Sequence, residues 1–178
     1  MKIQETSISG LLHITGIQLF SDERGSFRTP LRSDWGESFK QFTNQQWNIS
    51  VNNRGATRGI HAEPWDKFIH VVSGQVFAAI VDLRKSLPSF CCVETFELNE
   101  TSALFVPQGC GNSFQALEYS VYSYLTGDLW TAGQVYLAVS LDDPLLAIDW
   151  PIKDPERIVS EKDRMLKGVM ETLGALKL

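Results

Sequence analysis

Residues 58–74 read RGIHAEPWDKFIHVVSG, and this segment joins charged side chains directly to an apolar run. Arg58, His61 and Lys67 fall within ten residues, and a run of β-branched and aromatic residues from Phe68 to Val72 follows at once. Residues of these two kinds favour β-strands. The order therefore predicts a short strand that delivers polar groups to a pocket, followed by a strand that belongs to the core.

Short candidate strands continue from this segment to Val139, with turn residues at Ser73-Gly74, Asn99-Glu100 and Pro107-Gln108-Gly109. Short strands separated by Gly, Pro and Asn favour a β-sandwich or barrel over a parallel α/β sheet. No long amphipathic helices alternate with them, which disfavours a doubly wound fold. The predicted strands cover residues 10–20, 45–51, 68–72, 75–83, 91–98, 103–106, 113–126 and 134–140.

Two regions are predicted to be helical, and the first is a short helix over residues 35–42. Ser160 is a typical N-cap for a second helix, because Glu161, Lys162 and Asp163 follow it. Apolar residues then recur at helical spacing and predict one terminal amphipathic helix; they are Met165, Leu166, Val169, Met170 and Leu173. We expect one domain over residues 1–178, with a core at about 10–151 and a helical tail over 156–178.

Composition restricts the classes of partner. The chain has 178 residues and a formal net charge of -5, which argues against a general nucleic-acid partner but allows a small anionic ligand. No apolar run reaches the length of a membrane span, and Met1–Glu5 is not a secretory signal. The three cysteines, two of them adjacent, have no zinc-site spacing and indicate reduced thiols in a cytoplasmic protein.

Three residue types could carry acid–base chemistry. His61 is a candidate base, although a lone histidine is more often structural; the neighbouring cations would suit an anionic ligand. Tyr122 and Tyr124 lie two apart on one strand face, either as a buried aromatic pair or with one phenol as a proton donor. Asp163 is better explained as part of a capping box than as a partner of His61 on these grounds alone.

Other polar residues are surface groups by default. At the ends of consecutive predicted strands, however, four of them could form a cradle for a diphosphate and a sugar: Arg24, Gln46, Asn48 and Arg58. Trp130 could be a surface plug or a platform for a nucleobase.

From about Gly10 to Asp163 the sequence resembles the dTDP-4-dehydrorhamnose 3,5-epimerase family, whose members are cupin-fold sugar-nucleotide epimerases. Each matching stretch is weak alone, but their order along the chain is specific. The stretches are DERGSF (22–27), QWN (46–48), RGIH (58–61), KFI (67–69), VSGQVF (72–77), VDLRKSLPSF (81–90), VPQG (106–109), DDP (142–144), IDWP (148–151) and SEKD (160–163). The resemblance implies an all-β cupin jelly-roll with a short C-terminal helix.

The resemblance also implies a role for each matching residue. His61 would be the general base paired with Asp163, which replaces the capping interpretation as the main one. Lys67 would stabilise an enolate oxygen, and Tyr124 would deliver a proton to the opposite face. The binding roles implied are Arg24 and Arg58 for the diphosphate, Gln46 and Asn48 for the nucleotide or sugar, and Phe27 for the base.

The implied activity inverts C3, C5 or both in a nucleotide diphosphate-linked 4-keto sugar, within bacterial surface-polysaccharide biosynthesis such as capsule or lipopolysaccharide. The C4 ketone acidifies the neighbouring C–H bonds, so a base, an enolate-stabilising cation and an acid suffice without a cofactor. The expected partners are the nucleotide sugar and a second copy in a homodimer, with no nucleic acid and no membrane.

Three positions depart from the family pattern. Gly111-Asn112-Ser113-Phe114 replaces an Ala-His-Gly-Phe stretch, Thr29 replaces a glutamate and Trp130 replaces a tyrosine. We assign Thr29, Asn112 and Trp130 to substrate binding. These forms resemble a capsule-pathway branch that acts on GDP-linked 4-keto heptoses, so the sugar, the nucleotide and the carbons inverted stay open.

Three alternatives accompany this interpretation. A 3,4-ketoisomerase would share the fold and substrate class, and a catalytically silent sugar-nucleotide-binding cupin would explain the loss of the second histidine. A metal-dependent cupin oxygenase is disfavoured, because His70 falls among apolar residues and Asn112 stands where metal-binding cupins usually have a third histidine. We therefore predict neither a metal nor a cofactor.

Overall fold

β-Strands are the main secondary structure in the computed structural model, which describes residues 1–131 and 133–175. In chain order the strands are β1 (Lys2–Glu5), β2 (Leu12–Thr15), β3 (Phe20–Asp22), β4 (Gly25–Phe27), β5 (Gln46–Asn52), β6 (Thr57–Ala62), β7 (Lys67–Ser73), β8 (Val76–Asp82), β9 (Val93–Leu98), β10 (Ser102–Val106), β11 (Cys110–Ala116), β12 (Ser120–Thr126) and β13 (Leu137–Val139). The helices are a 3₁₀ turn (Ser33–Trp35), α1 (Glu37–Gln41), α2 (Glu161–Arg164) and α3 (Val169–Ala175).

Two antiparallel sheets face each other. One has the strand order β1-β2-β10-β7-β12-β5, the other has the order β13-β6-β11-β8-β9, and β3 with β4 forms a separate hairpin. Sequential strands often lie in different sheets, as expected for a jelly-roll. The structure confirms the predicted all-β jelly-roll.

The alternation of side chains along the strands builds the core between the sheets. Ile69 and Val71 of β7 and Tyr122 of β12 meet Ile80 of β8 and Phe114 of β11, all of them buried. The intervening residues of β7, such as Phe68, face the other side of the sheet. There the short helix α1 covers part of the surface through Phe39.

The chain after β13 packs on the outside of the five-stranded sheet. Trp150 is fully buried there, and its indole Nε1 donates to the Leu141 carbonyl at 2.9 Å. A parallel bridge joins Ala56 to Ile158 at the start of β6. This path delivers Asp163 to the middle of β6, where the functional residues lie.

The predicted single terminal helix is wrong: α2 and α3 are two short helices. The Asp143 carboxylate accepts from the Val169 amide at 2.5 Å and so starts a new helix directly after Gly168. Val169 and Leu173 are buried, whereas Met165 and Met170 are exposed, so the apolar residues do not form one stripe. The last three residues of the predicted tail, 176–178, lie outside the described residues.

Several strand boundaries also differ from the prediction. Residues 113–126 are two strands, β11 and β12, and the strand predicted over 10–20 is limited to β2. The polar segment 21–27, for which no strand was predicted, belongs to the β3–β4 hairpin. Within the described ranges 1–131 and 133–175, none of the helices has the length and apolar character that a membrane span requires.

Candidate active site

A pocket of about 740 Å³ opens between the two sheets beside β6. Its walls come from β6, the end of β12, the segment after β12 and the segment around α2. Five residues predicted from the sequence line it: Arg58, His61, Tyr124, Trp130 and Asp163.

A bulge in β6 brings Arg58 and His61 to the same pocket. Residues three apart on a regular strand face opposite sides of the sheet. Along β6, however, Arg58 pairs with Phe114 and His61 pairs with Asn112, so two residues of β6 oppose the single residue Ser113. The extra residue reverses the alternation and turns both side chains inward.

His61 and Asp163 form a dyad. The imidazole Nε2 lies 3.0 Å from Oδ1 of Asp163, while Oδ2 accepts from the Gly59 amide at 3.1 Å. A Cβ atom at Gly59 would lie only 2.7 Å from that carboxylate, so the approach depends on glycine. Ser160 also caps α2 by accepting from the Asp163 amide at 3.1 Å, so Asp163 belongs to a helix cap and to the dyad at once.

The environment keeps Asp163 ionised. Burial alone would raise the pKa of this carboxyl, but hydrogen bonds from His61 and from the Gly59 amide lower the pKa below its ordinary value. Because the ionised carboxylate can only accept a hydrogen bond, Nε2 must donate it and therefore carries the ring hydrogen. The other ring nitrogen, Nδ1, is then the one that can take up a proton.

Tyr124 projects from β12 into the pocket beside this dyad. Burial, followed by the negative charge of Glu63, raises the pKa of the Tyr124 phenol, which therefore keeps its proton at neutral pH. Tyr122 lies on the same face but is fully buried, with its ring stacked on Phe114 at 3.9 Å between centroids. Its hydroxyl donates to Asn112 at 3.4 Å. Tyr124, not Tyr122, therefore has the position of a proton donor.

Lys67 is buried at the start of β7, where its ammonium group contacts the Glu63 carboxylate. Burial lowers the pKa of Lys67, while the charge and the hydrogen bond of Glu63 oppose that effect. Glu63 lines the pocket and Lys67 lies next to it. Glu63 is a pocket residue that was not predicted from the sequence, although its spacing of four residues from Lys67 indicates that the two could pair.

Gln46 connects β5 to the segment after β12, and Asn48 and Arg58 are the polar residues near it. The Gln46 amide donates to Oδ1 of Asn48 at 2.6 Å and accepts from the Trp130 backbone at 2.8 Å. Nδ2 of Asn48 is buried and has no hydrogen-bond partner among the described residues. Arg58 donates to Asn52 at 3.1 Å and leaves the rest of its guanidinium facing the pocket.

Asn112 lies on β11 directly opposite His61, half-buried, with its carboxamide oxygen held by Tyr122. Two further aromatic residues line the pocket, Trp65 and Tyr136, with ring centroids 5.1 Å apart in an edge-to-face arrangement. Neither residue was predicted from the sequence, although Trp65 belongs to the segment 58–74 that contains Arg58, His61 and Lys67.

The structure does not bring Arg24, Phe27 and Thr29 to this pocket. Arg24 is 85% exposed in the β3–β4 hairpin and pairs with Asp22 at 2.5 Å. Phe27 lines a separate apolar cavity of about 510 Å³ on the outer face of the six-stranded sheet, together with Trp47. Thr29 is exposed. Within one chain none of these three residues lines the pocket of His61, and Phe27 lies on the opposite side of the six-stranded sheet.

Known proteins share both the sequence pattern and the fold. A family model described as dTDP-4-dehydrorhamnose 3,5-epimerase matches residues 5–171. A protein named RmlC homolog from Streptococcus pyogenes is 37% identical over 153 residues, which cover 80% of this chain and 77% of that protein. The dTDP-4-dehydrorhamnose 3,5-epimerase of Streptomyces griseus is 35% identical over 160 residues, with 85% and 79% covered.

Two solved structures superpose closely on the chain. RmlC from Streptococcus suis, in complex with dTDP-D-xylose, has a TM-score of 0.86 at 32% identity, with 96% of this chain and 92% of that chain covered. NovW, a 4-keto-6-deoxy sugar epimerase from the novobiocin cluster of Streptomyces spheroides, has a TM-score of 0.90 at 29% identity, with 100% and 92% covered.

Proposed function

Because the chain belongs to the dTDP-4-dehydrorhamnose 3,5-epimerase family and is an isomerase-class enzyme, we propose that its pocket epimerises a nucleotide diphosphate-linked 4-keto sugar at C3, C5 or both. One observation carries the proposal: an ionised carboxylate orients His61 in the same pocket that receives the protonated phenol of Tyr124. A base and an acid in one pocket are what an inversion through an enolate requires.

His61 is the base in this proposal. The C4 ketone acidifies the hydrogens on C3 and C5, and Nδ1 removes one of them as the C–H electrons move into the enolate. Asp163 holds the ring through Nε2 and stabilises the imidazolium that forms. The imidazolium proton then passes to solvent and restores the free base.

Lys67 is the cation that supports the enolate. Negative charge develops on the C4 oxygen, and an ammonium in a site with little water stabilises that charge strongly. The Lys67 ammonium is buried beside Glu63, which faces the pocket. Tyr124 then transfers its phenolic proton to the carbon from the opposite face, and a proton from solvent restores the phenol.

Arg58, Gln46, Asn48 and Trp130 bind the remainder of the substrate in this proposal. Arg58 faces the pocket with a guanidinium suited to the diphosphate, and Asn48, paired with Tyr124 across β5 and β12, is assigned to the nucleotide or sugar. Trp130 is about half exposed at the pocket and can stack on the nucleobase. Asn112 binds the sugar part of the substrate in this proposal.

We propose that the enzyme is a homodimer in which Arg24, Phe27 and Thr29 act on the pocket of the other copy. The argument is the exposed apolar surface around them, since Phe27, Trp47, Ile49 and Val51 are each more than half exposed. Contiguous exposed apolar surface marks an interaction site. A second copy would cover this surface and supply the binding residues that one chain holds away from its own pocket.

The nucleotide is dTDP or GDP in this proposal, and the sugar is a 6-deoxyhexose or a heptose. The S. suis relative bound dTDP-D-xylose, which favours dTDP. The substitutions at Thr29, Asn112 and Trp130 favour the GDP-linked heptose. We place the enzyme in the cytoplasm, because Cys91, Cys92 and Cys110 are all free thiols.

Proton NMR in D₂O tests the function. The protein is incubated with dTDP- and GDP-linked 4-keto-6-deoxyhexoses and with the corresponding heptose. Deuterium entering at C3, C5 or both identifies the carbons and the preferred nucleotide. His61→Asn is the control and should abolish exchange while leaving nucleotide binding intact. Binding by calorimetry without exchange for any substrate would overturn the proposal in favour of a silent sugar-nucleotide-binding protein.

A further inference from the structure

Lys67 and Glu63 form a buried ion pair at the wall of the His61 pocket. Their side chains are only 4% and 12% exposed, and the ammonium contacts the carboxylate directly. The Lys67 backbone is fixed between two strands, opposite Val106 of β10 and Thr126 of β12. Glu63 follows the end of β6, so the pair ties β6 to β7 at the pocket.

Burial disfavours the charged form of a lysine. An ammonium removed from water loses its solvation, and full burial can lower the pKa of a lysine by about 3–5 units. In this protein burial lowers the pKa of Lys67, and both opposing influences come from Glu63: its charge and its hydrogen bond. The carboxylate is therefore the group that decides whether the lysine stays protonated.

The other ionisable groups around the pair do not substitute for Glu63. Tyr122 and Tyr124 on β12 have raised pKa values and stay neutral. Asp66, adjacent to Lys67 in sequence, directs its carboxylate to the Gln108 amide at 2.8 Å. The remaining charged groups that line the pocket are Arg58 and His61 on β6 and Lys162 and Asp163 on α2, and none of the four influences the pKa of Lys67.

We propose that Glu63 is a positioning residue that holds the Lys67 side chain as a fixed ammonium ion at the wall of the His61 pocket. The inference rests on the proposed function for the role of that ammonium in stabilising the enolate. Glu63 has a second effect in the same direction, because its negative charge also raises the pKa of Tyr124 and keeps the phenol protonated. One carboxylate thus maintains both proton-bearing groups that the reaction needs.

A direct titration of Lys67 tests the ion pair without any substrate. The protein is labelled with ¹³Cε-lysine, and the Lys67 resonance is assigned by its loss in Lys67→Arg. We expect Glu63→Gln to lower the titration midpoint of Lys67 by about one unit or more, because the neutral amide removes the charge that stabilises the ammonium. Equal midpoints in the wild type and Glu63→Gln would overturn the proposal.

Two variants serve as controls. Asp149→Asn removes one negative charge from an exposed i,i+4 pair with Lys153 and should leave the Lys67 midpoint unchanged. Glu63→Asp keeps the carboxylate and should restore most of the midpoint lost in Glu63→Gln. It also serves if Glu63→Gln does not fold; a Lys67 midpoint that falls by about one unit or more in Glu63→Asp, although the carboxylate is kept, would contradict the proposal.

The pH dependence of solvent deuterium exchange tests the consequence for turnover. As the pH rises through the Lys67 midpoint found by titration, the exchange rate should fall. We expect this fall to occur about one pH unit or more lower in Glu63→Gln than in the wild type or Asp149→Asn, because the lysine of the variant deprotonates at lower pH. A profile lowered equally at all pH values would indicate a merely structural role and overturn the proposal. No exchange by the wild type would refute the epimerase function alone, since the lysine titration still decides the role of Glu63.

Discussion

Tyr122 and Tyr124 share one face of β12 but differ in what surrounds their hydroxyl groups. The Tyr122 hydroxyl is enclosed and donates to Asn112, whereas Tyr124 lines the pocket. We expect Tyr124→Phe to abolish epimerisation but to preserve wash-in of solvent deuterium, because the base side still forms the enolate. Tyr122→Phe keeps the stacked ring and is the matched control, with epimerisation retained. Proton NMR in D₂O measures both; loss of wash-in in Tyr124→Phe would remove the phenol from its role as acid.

Asp163 links the dyad to acid stability. Its folded pKa is lowered below the ordinary value of about 3.9, so its ionised form stabilises the fold. That contribution is fully present above the unfolded pKa and is lost as the pH falls through the lowered folded pKa. We expect the difference in Tm between the wild type and Asp163→Asn to be largest near pH 7 and to shrink below about pH 4. A Tm difference that stays constant down to about pH 2 would contradict this account.

At the scale of elements, β6 shows what a sequence pattern can and cannot predict. The order of charged and apolar residues in the segment 58–74 is enough to predict a polar strand before a core strand. The face on which each side chain lies is not, because the bulge opposite Ser113 reverses the alternation between Arg58 and His61. The bulge depends on pairing with β11, which lies about fifty residues further along the chain. The local periodicity of β6 therefore cannot predict it.

The terminal helices show the same limit. Helical spacing predicts one helix after Ser160, and the Ser160 cap is present in the structure. The break between α2 and α3 depends instead on Asp143, whose carboxylate reaches Val169 from an earlier part of the chain. The dyad itself was accessible only through the resemblance, because Asp163 and His61 are 102 residues apart.

The contact of Asp143 with α3 leads to a prediction about stability. Asp143→Ala leaves the buried Val169 amide without its acceptor, which costs about 1–3 kcal/mol of unfolding free energy. Urea denaturation measures the loss, and the exposed Asp149→Asn is the control, with a change within about 0.5 kcal/mol. An Asp143→Ala variant as stable as that control would show that α3 does not depend on this contact.

At the scale of the whole molecule, the edge strand β5 has its apolar side chains on the outer face and its polar side chains on the inner face, the reverse of the usual arrangement. Its polar residues Gln46 and Asn48 are half-buried beside Thr126 and Tyr124 of β12, while Trp47, Ile49 and Val51 face outward and are exposed. The Phe27 side of the β3–β4 hairpin lies along the same outer surface. An apolar outer face on an edge strand is costly in water unless another surface covers it. The proposed homodimer accounts for both this face and the location of Arg24 away from its own pocket.

Mixing two inactive variants tests whether the second copy completes the pocket. Arg24→Ala and His61→Asn each damage every site of their own homodimer. If Arg24 serves the partner's pocket, a mixed dimer has one site with both residues intact and one with neither. Random exchange of subunits makes half of the dimers mixed, so we expect about one quarter of wild-type turnover to return. If both residues served the pocket of their own chain, every site in the mixed dimer would lack one of them, and mixing would restore nothing. The same mixture of His61→Asn with Tyr124→Phe is the control without recovery, because His61 and Tyr124 line one pocket of a single chain and each mixed site lacks one of the two.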